Sequence, residues 1–138
     1  MYKSDRYCID MTTPYKLSYD KQEQILFLDL TNAIITHEVV DGITTSVKTI
    51  SEQQGHKIYI LACWTGVTID PSAADYYGEQ MQLSQIYVSG IVRYGATDLF
   101  SNVTIRAQTV RKHLQGSRAN IYPTKEAALE AIRQLKQA

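Results

Sequence analysis

The sequence predicts a single α/β domain built on a mainly parallel sheet with an antiparallel hairpin at one edge. Three observations carry this expectation. Segments of strand character alternate with segments of helical period along the chain. One segment, "KIYILAC" (57–63), is a continuous apolar run with a charge only at its entry, as befits a strand covered on both faces. The length, 138 residues, suits one core, since such a chain buries roughly 68–70% of its unfolded surface.

The elements follow in order. "YKLSYD" (15–20) and "QILFLDL" (24–30) are rich in strand formers, and the polar "DKQE" between them predicts a hairpin loop. From Thr36 the period changes: Val40, Ile43, Val47 and Ile50 recur at helical spacing, Thr36 caps the start, Glu38 suits the first turn, and Gly55 ends the helix. The run 57–63 is then the central strand. Beyond the turn "TGVTI", Asp70 caps a second helix, Pro71 fits its first turn, and Ala73, Ala74, Tyr77 and Met81 form its inner face. "QIYVSGIVRY" (85–94) is a strand, and 98–116 a helix packing Leu99, Val103, Ala107, Val110 and Leu114, stopped by Gly116. A short strand, "ANIY" (119–122), precedes a final helix capped by Thr124 that packs Ala128, Leu129, Ile132 and Leu135. The predicted order is ββαβαβαβα, with right-handed crossovers between parallel strands.

Composition excludes several functions. Fourteen basic side chains balance fourteen acidic ones, so no electrostatic footprint for nucleic acid is present. The longest apolar run, 58–64, is too short to span a bilayer, and the first sixteen residues contain no apolar stretch of signal-peptide length. Only Cys8 and Cys63 occur, without metal-like spacing. That argues against a disulfide scaffold or a zinc site, and for a reducing, cytoplasmic setting. Ten tyrosines against two phenylalanines give an aromatic surface whose hydroxyls need polar partners. Such residues close the rims of a small core, and tyrosine-rich faces are compatible with a homodimer.

The order of elements and the stretch "IYILACWTGVTIDPSAADYYG" resemble the STAS and SpoIIAA-like family of anti-sigma-factor antagonist domains. The similarity runs from about Tyr15 to the C-terminus, leaving 1–14 as an N-terminal extension of one domain spanning 1–138. In that family the central strand ends in aspartate, passes through a serine or threonine and a short turn, and reaches Asp-Ser-Ser-Gly at the next helix. The second of those serines is phosphorylated by a partner kinase. Ser72 matches it, Thr65, Gly66 and Val67 match the turn, and Asp70 matches the acid. Cys63 stands at the family's strand-end aspartate, and "DPSA" replaces Asp-Ser-Ser-Gly, which brings the chain nearer the SpoIIAA-like branch. The resemblance implies a SpoIIAA-like fold and a regulatory domain that binds a protein partner. Binding of nonpolar small molecules is a second role that it carries.

The chemistry at each position is read beside this. A phosphate on Ser72, in a first helical turn, meets unpaired amides and the positive end of the helix dipole, while Asp70 repels it. Cys63 continues an apolar strand and is expected to be a small buried hydrophobe with a raised pKa and no adjacent base. Trp64 is expected at a rim, where with Tyr76 and Tyr77 it makes an apolar patch beside Ser72. His37, His56 and His113 share no ligand spacing, so no metal or other cofactor is expected. Asp75 and Glu79 share one solvated helical face. The cluster "RKH" (111–113), with Arg93, Arg106 and Arg118, suits the polar face of its helix. The expected surface comprises Cys63, Trp64, Thr65, Asp70, Ser72, Tyr76 and Tyr77. It belongs to a non-enzymatic interaction module or, alternatively, to a carrier of an apolar small molecule such as a lipid.

Overall fold

A computed structural model describes residues 14–95 and 121–137. The predicted helix 98–116, with Arg106, His113, the basic cluster and Arg118, lies outside the described residues, as does Cys8. Strands β1 (Lys16–Asp20) and β2 (Ile25–Asp29) form the expected antiparallel hairpin. Its turn is closed by Gln24 N–H donating to the Asp20 carbonyl at 2.8 Å and by the Asp20 carboxylate, which accepts from Glu23 N–H at 3.0 Å. A two-residue strand, β3 (Ile34–Ile35), leads to helix α1 (His37–Gln54). The Thr36 hydroxyl accepts from Val39 N–H at 3.2 Å, and Gly55 ends α1 in the left-handed region with φ +78°. Strand β4 (Ile58–Cys63) then runs to a second short strand, β5 (Thr68–Ile69), which pairs parallel with β3.

Helix α2 (Ala74–Leu83) follows a 3₁₀ turn at Pro71–Ala73, and another 3₁₀ turn at Ser84–Ile86 precedes β6 (Val88–Tyr94). Strand β7 (Ile121–Tyr122) and helix α3 (Lys125–Gln137) complete the described chain. The main sheet has the order β1-β2-β4-β6-β7, parallel except for the β1–β2 pair. Among the described residues the architecture is thus α/β with a mixed five-stranded sheet and three helices, and β4 lies between β2 and β6 at the sheet centre.

Alternation along the strands sends side chains to opposite faces. Leu26, Leu28, Ile58, Ile60, Ala62 and Trp64 join the larger core with Val40, Val47 and Ile50 of α1 and Tyr77 of α2. Ile25, Leu61 and Val92 point the other way, against Ala128 and Ile132 of α3. At its far end α3 reaches the β1–β2 turn, where Lys136 Nζ donates to the Glu23 carbonyl at 2.5 Å. Two expectations are corrected. The strand foreseen from residue 85 begins at Val88, because the chain first completes a 3₁₀ turn in which Tyr87 N–H bonds the Ser84 carbonyl at 2.9 Å. Leu135, foreseen as core, is largely exposed, since it falls near the end of α3 beyond the buried pair. No helix among the described residues is long and apolar enough to cross a membrane.

Candidate functional site

The carboxyl ends of β2 and β4 are tied into one edge by backbone bonds. After Cys63 the chain turns so that Val67 N–H meets the Trp64 carbonyl at 3.2 Å. The turn needs Gly66, which has φ +70° and leaves no room for a Cβ beside the Asn32 side chain. Asn32 N–H donates to the Thr65 carbonyl at 2.8 Å, Thr68 N–H to Ala33 at 3.1 Å, and Asp70 N–H to Ile35 at 3.0 Å. This small parallel ladder fixes residues 64–70 against 30–36. The loop therefore leaves the centre of the sheet in one conformation, at the end where open parallel sheets hold their ligands.

Ser72 is exposed, and a single oxygen of Asp70 serves it twice. Asp70 Oδ1 accepts from Ser72 N–H at 2.9 Å and from Ser72 Oγ–H at 2.8 Å. The placement differs by one step from the expected one. Ser72 lies in the 3₁₀ turn that Asp70 caps, and α2 opens at Ala74 without a side-chain cap, because its N-cap residue is Ala73. A phosphate on Ser72 would forfeit the hydroxyl proton now given to Asp70 and face that carboxylate at close range.

The exposed aromatic patch is not formed. Trp64 is 3% exposed and Tyr77 is 7% exposed, and their rings meet edge to face at 5.7 Å between centroids. Trp64 turns inward because it continues the parity of Ile60 and Ala62, which face α1 and α2, and burial of so large a ring outweighs contact with water. Tyr76 alone of the three reaches the surface. It stacks on His37 at 4.7 Å between centroids and donates its hydroxyl to Asp41, which raises its pKa and clamps α2 to α1. Over the Trp64 ring lies the Arg93 guanidinium, 5.6 Å from the centroid.

Cys63 is half-buried and free, not sealed in the core. It is the last residue of β4, with Asp29 and Tyr94 beside it on the neighbouring strands. Its Sγ lies 3.3 Å from Thr31 Oγ1 and 3.4 Å from Thr65 Oγ1. Burial pushes the thiol up, but hydrogen bonds from Thr31, Thr65 and Tyr94 outweigh it, so Cys63 sits below its ordinary pKa. The expected rise is thus reversed. Thr31 Oγ1 also bonds Asp29 Oδ1 at 2.6 Å and holds that carboxylate below its usual range. One hydroxyl proton cannot serve both anions, so Asp29 and Cys63 compete for it. Tyr94, across the strand pair from Cys63, is pushed up to about 12 by burial and by the charge of the neighbouring thiolate.

A separate open cleft of about 650 Å³ lies on the β3–α1 side, lined by Pro14, Tyr15, Ala33, Ile34, Val39 and Gly42 among others. Among the described residues no three His, Cys, Asp or Glu side chains come together as metal ligands.

The structure brings Cys63, Thr65, Asp70 and Ser72 to one edge of the sheet, keeps Tyr76 on the flank of α2, and removes Trp64 and Tyr77 into the core. Sequence reasoning missed Thr31, Asp29 and Tyr94. Their signal was the parity of the strands: 29, 63 and 94 all end strands on one face. It also missed the buried position of Arg93, which only the sheet order reveals. No known protein-family model matches the chain, and no curated protein matches it.

Proposed function

We propose that the protein is a cytoplasmic, non-enzymatic STAS-like regulatory domain of the SpoIIAA-like branch, acting by contact with a partner protein. The contact surface is the accessible part of the loop after β4, Thr65, Asp70 and Ser72, with Tyr76 on the adjoining flank of α2 and the Cys63 thiol at its border. What carries the reading is the way the β3–β5 ladder presents that loop rigidly at the carboxyl end of the central strand. A preorganised polar loop of this kind lowers the entropic cost of association. Ser72 is the position at which a charge would alter the surface, since the residue is exposed and its hydroxyl donates to Asp70. The test is partner capture by in-cell crosslinking with the wild-type chain and with Thr65→Arg, Ser72→Arg. Loss of the captured species in the variant supports the surface, and undiminished capture removes it. Intact mass of protein from its native cells reads the switch, expected as an added phosphate on Ser72.

The cleft favours a second reading, a carrier or sensor of an apolar small molecule. About 650 Å³ falls within the range of small-ligand pockets. Native mass spectrometry after gentle purification decides between them: a co-purifying lipid-like mass supports the carrier, and a clean apo mass favours the contact module.

A further inference from the structure

Arg93 is the second-to-last residue of β6 and is 1% exposed. Its neighbour Val92 packs with Ile25, Leu61, Ala128 and Ile132 on the α3 face. By strand alternation Arg93 turns to the opposite face, where it meets the ring of Trp64. None of its three guanidinium nitrogens has a hydrogen-bond partner among the described residues. The ion pairs of these residues go to Glu23, which Arg133 and Lys136 share.

A guanidinium stays charged at any pH a protein survives, so burial cannot be relieved by releasing a proton. A cation over an indole face is partly stabilised. Among the described residues that contact leaves five N–H donors dry, and a buried charge without a counter-charge is among the costliest features a marginally stable domain can hold. An element that keeps such a group holds it for an acceptor. The arginine fork matches oxyanions, two parallel donors to two oxygens, better than it matches any single carbonyl. The location agrees: Arg93 stands at the carboxyl edge of a parallel sheet, beside the loop fixed by Gly66, and the next two residues, Tyr94 and Gly95, are partly open to solvent.

We propose that Arg93 anchors a buried oxyanion site at the carboxyl end of β6, taking a carboxylate or phosphate-type group beside the face of Trp64. The proposal stands independently of the STAS-like reading. It needs neither a protein partner nor modification of Ser72.

Trp64 is the only tryptophan in the chain, so its emission reports on this site alone. The full chain, exchanged into chloride buffer, is titrated at constant ionic strength with sodium acetate and, separately, with inorganic phosphate. Trp64 emission and the melting temperature are followed. A saturable change with one or both anions is expected; acetate alone assigns a carboxylate ligand and phosphate alone a phosphate-type one. Arg93→Met keeps the apolar stem and removes the charge. It is expected to melt no lower than wild type in chloride and to lose the saturable response, with affinity weakened at least about tenfold. Arg93→Lys supplies charge without the fork and is expected to weaken binding while keeping the fold. Flat emission with both anions, or an equal response in Arg93→Met, overturns the proposal. So does a lower melting temperature in Arg93→Met with no anion dependence in wild type, which would place the acceptor within the chain itself.

Discussion

The two faces of the sheet differ in depth. On one, the even-numbered positions of β2 and β4 meet α1 and α2 in a continuous core that includes Trp64 and Tyr77. On the other, three strand residues meet two side chains of α3, flanked by part-buried Phe27, Tyr59, Tyr94, Tyr122, Leu129 and Ala131. The first face excludes water and holds the fold. The second is thin, edged by tyrosines, and leaves Asp29, Cys63 and Tyr94 in reach of solvent. The difference shows that a strand covered on both sides can still carry chemistry at its end, because among the described residues Asp29, Cys63 and Tyr94 stay partly accessible where the strands finish.

Breaking each face separately tests this most strongly. Ile50→Ala in α1 removes a fully buried side chain from the deep core and should cost about 2–5 kcal/mol of global stability by urea denaturation. Ile132→Ala removes one of only two fully buried side chains of α3. Amide exchange should then rise through 125–137 while α1 and β4 keep their protection. Uniform loss of protection in Ile132→Ala would show that the two faces unfold as one unit and end the contrast.

A substitution whose sign depends on one atom comes next. Gly42 lies within α1, where alanine is intrinsically favoured by roughly 0.8–1.0 kcal/mol. A Cβ there would collide with the Tyr15 hydroxyl, however. Gly42→Ala should therefore destabilise by about 1–2 kcal/mol through overpacking. In a Tyr15→Phe background the obstructing atom is gone, and the same change should become neutral or stabilising. Equal effects in both backgrounds would exclude the clash as the cause.

Much of the deep face was legible in the sequence. The 3.6 period of Val40, Val47 and Ile50, the cap at Thr36 and the stop at Gly55 are local signals, and local signals survive folding. The central position of β4 followed from its unbroken apolar run. What escaped was decided by tertiary geometry. Ile34–Ile35 and Thr68–Ile69 are too short to announce themselves as strands, yet their pairing fixes the loop after Trp64, and that ring, expected at the rim, is buried against Tyr77. The edge cluster was missed because Asp29, Cys63 and Tyr94 end three different strands, with Thr31 in the turn after the first, and only register brings them together. The SpoIIAA-like branch remains a resemblance carried by the residues from 58 to 78.

The caps give a smaller effect. Thr36→Ala should cost about 1 kcal/mol by removing the acceptor of Val39 N–H. Asp70→Ala should cost a similar amount, about 1 kcal/mol, because it strips both bonds from Ser72. The two differ in consequence. Losing Asp70 should loosen only the turn before α2, seen as faster amide exchange at residues 72–74, and leave the sheet intact.

The smallest effect tests the chemistry of the thin face. Burial raises the Cys63 thiol, and the hydroxyl partners bring it back below its ordinary pKa. A folded pKa below the unfolded one means that losing the proton favours the folded chain. This contribution is complete above the unfolded thiol's pKa and disappears as pH falls through the folded one, so it lies in the alkaline range. The pH profile of iodoacetamide alkylation should therefore have its midpoint lower in the folded chain than in urea; Cys8→Ser removes the other thiol from the reading. Thr31→Val deletes a donor to the thiolate and should move the midpoint up. Asp29→Asn should move it down, because it removes a competing anion at 2.6 Å from the Thr31 hydroxyl and releases that proton to sulfur. Opposite movements in these variants would establish the shared proton. A midpoint unmoved by Thr31→Val would show that the hydroxyl serves Asp29 alone, and that Thr65 and Tyr94 account for the lowered pKa.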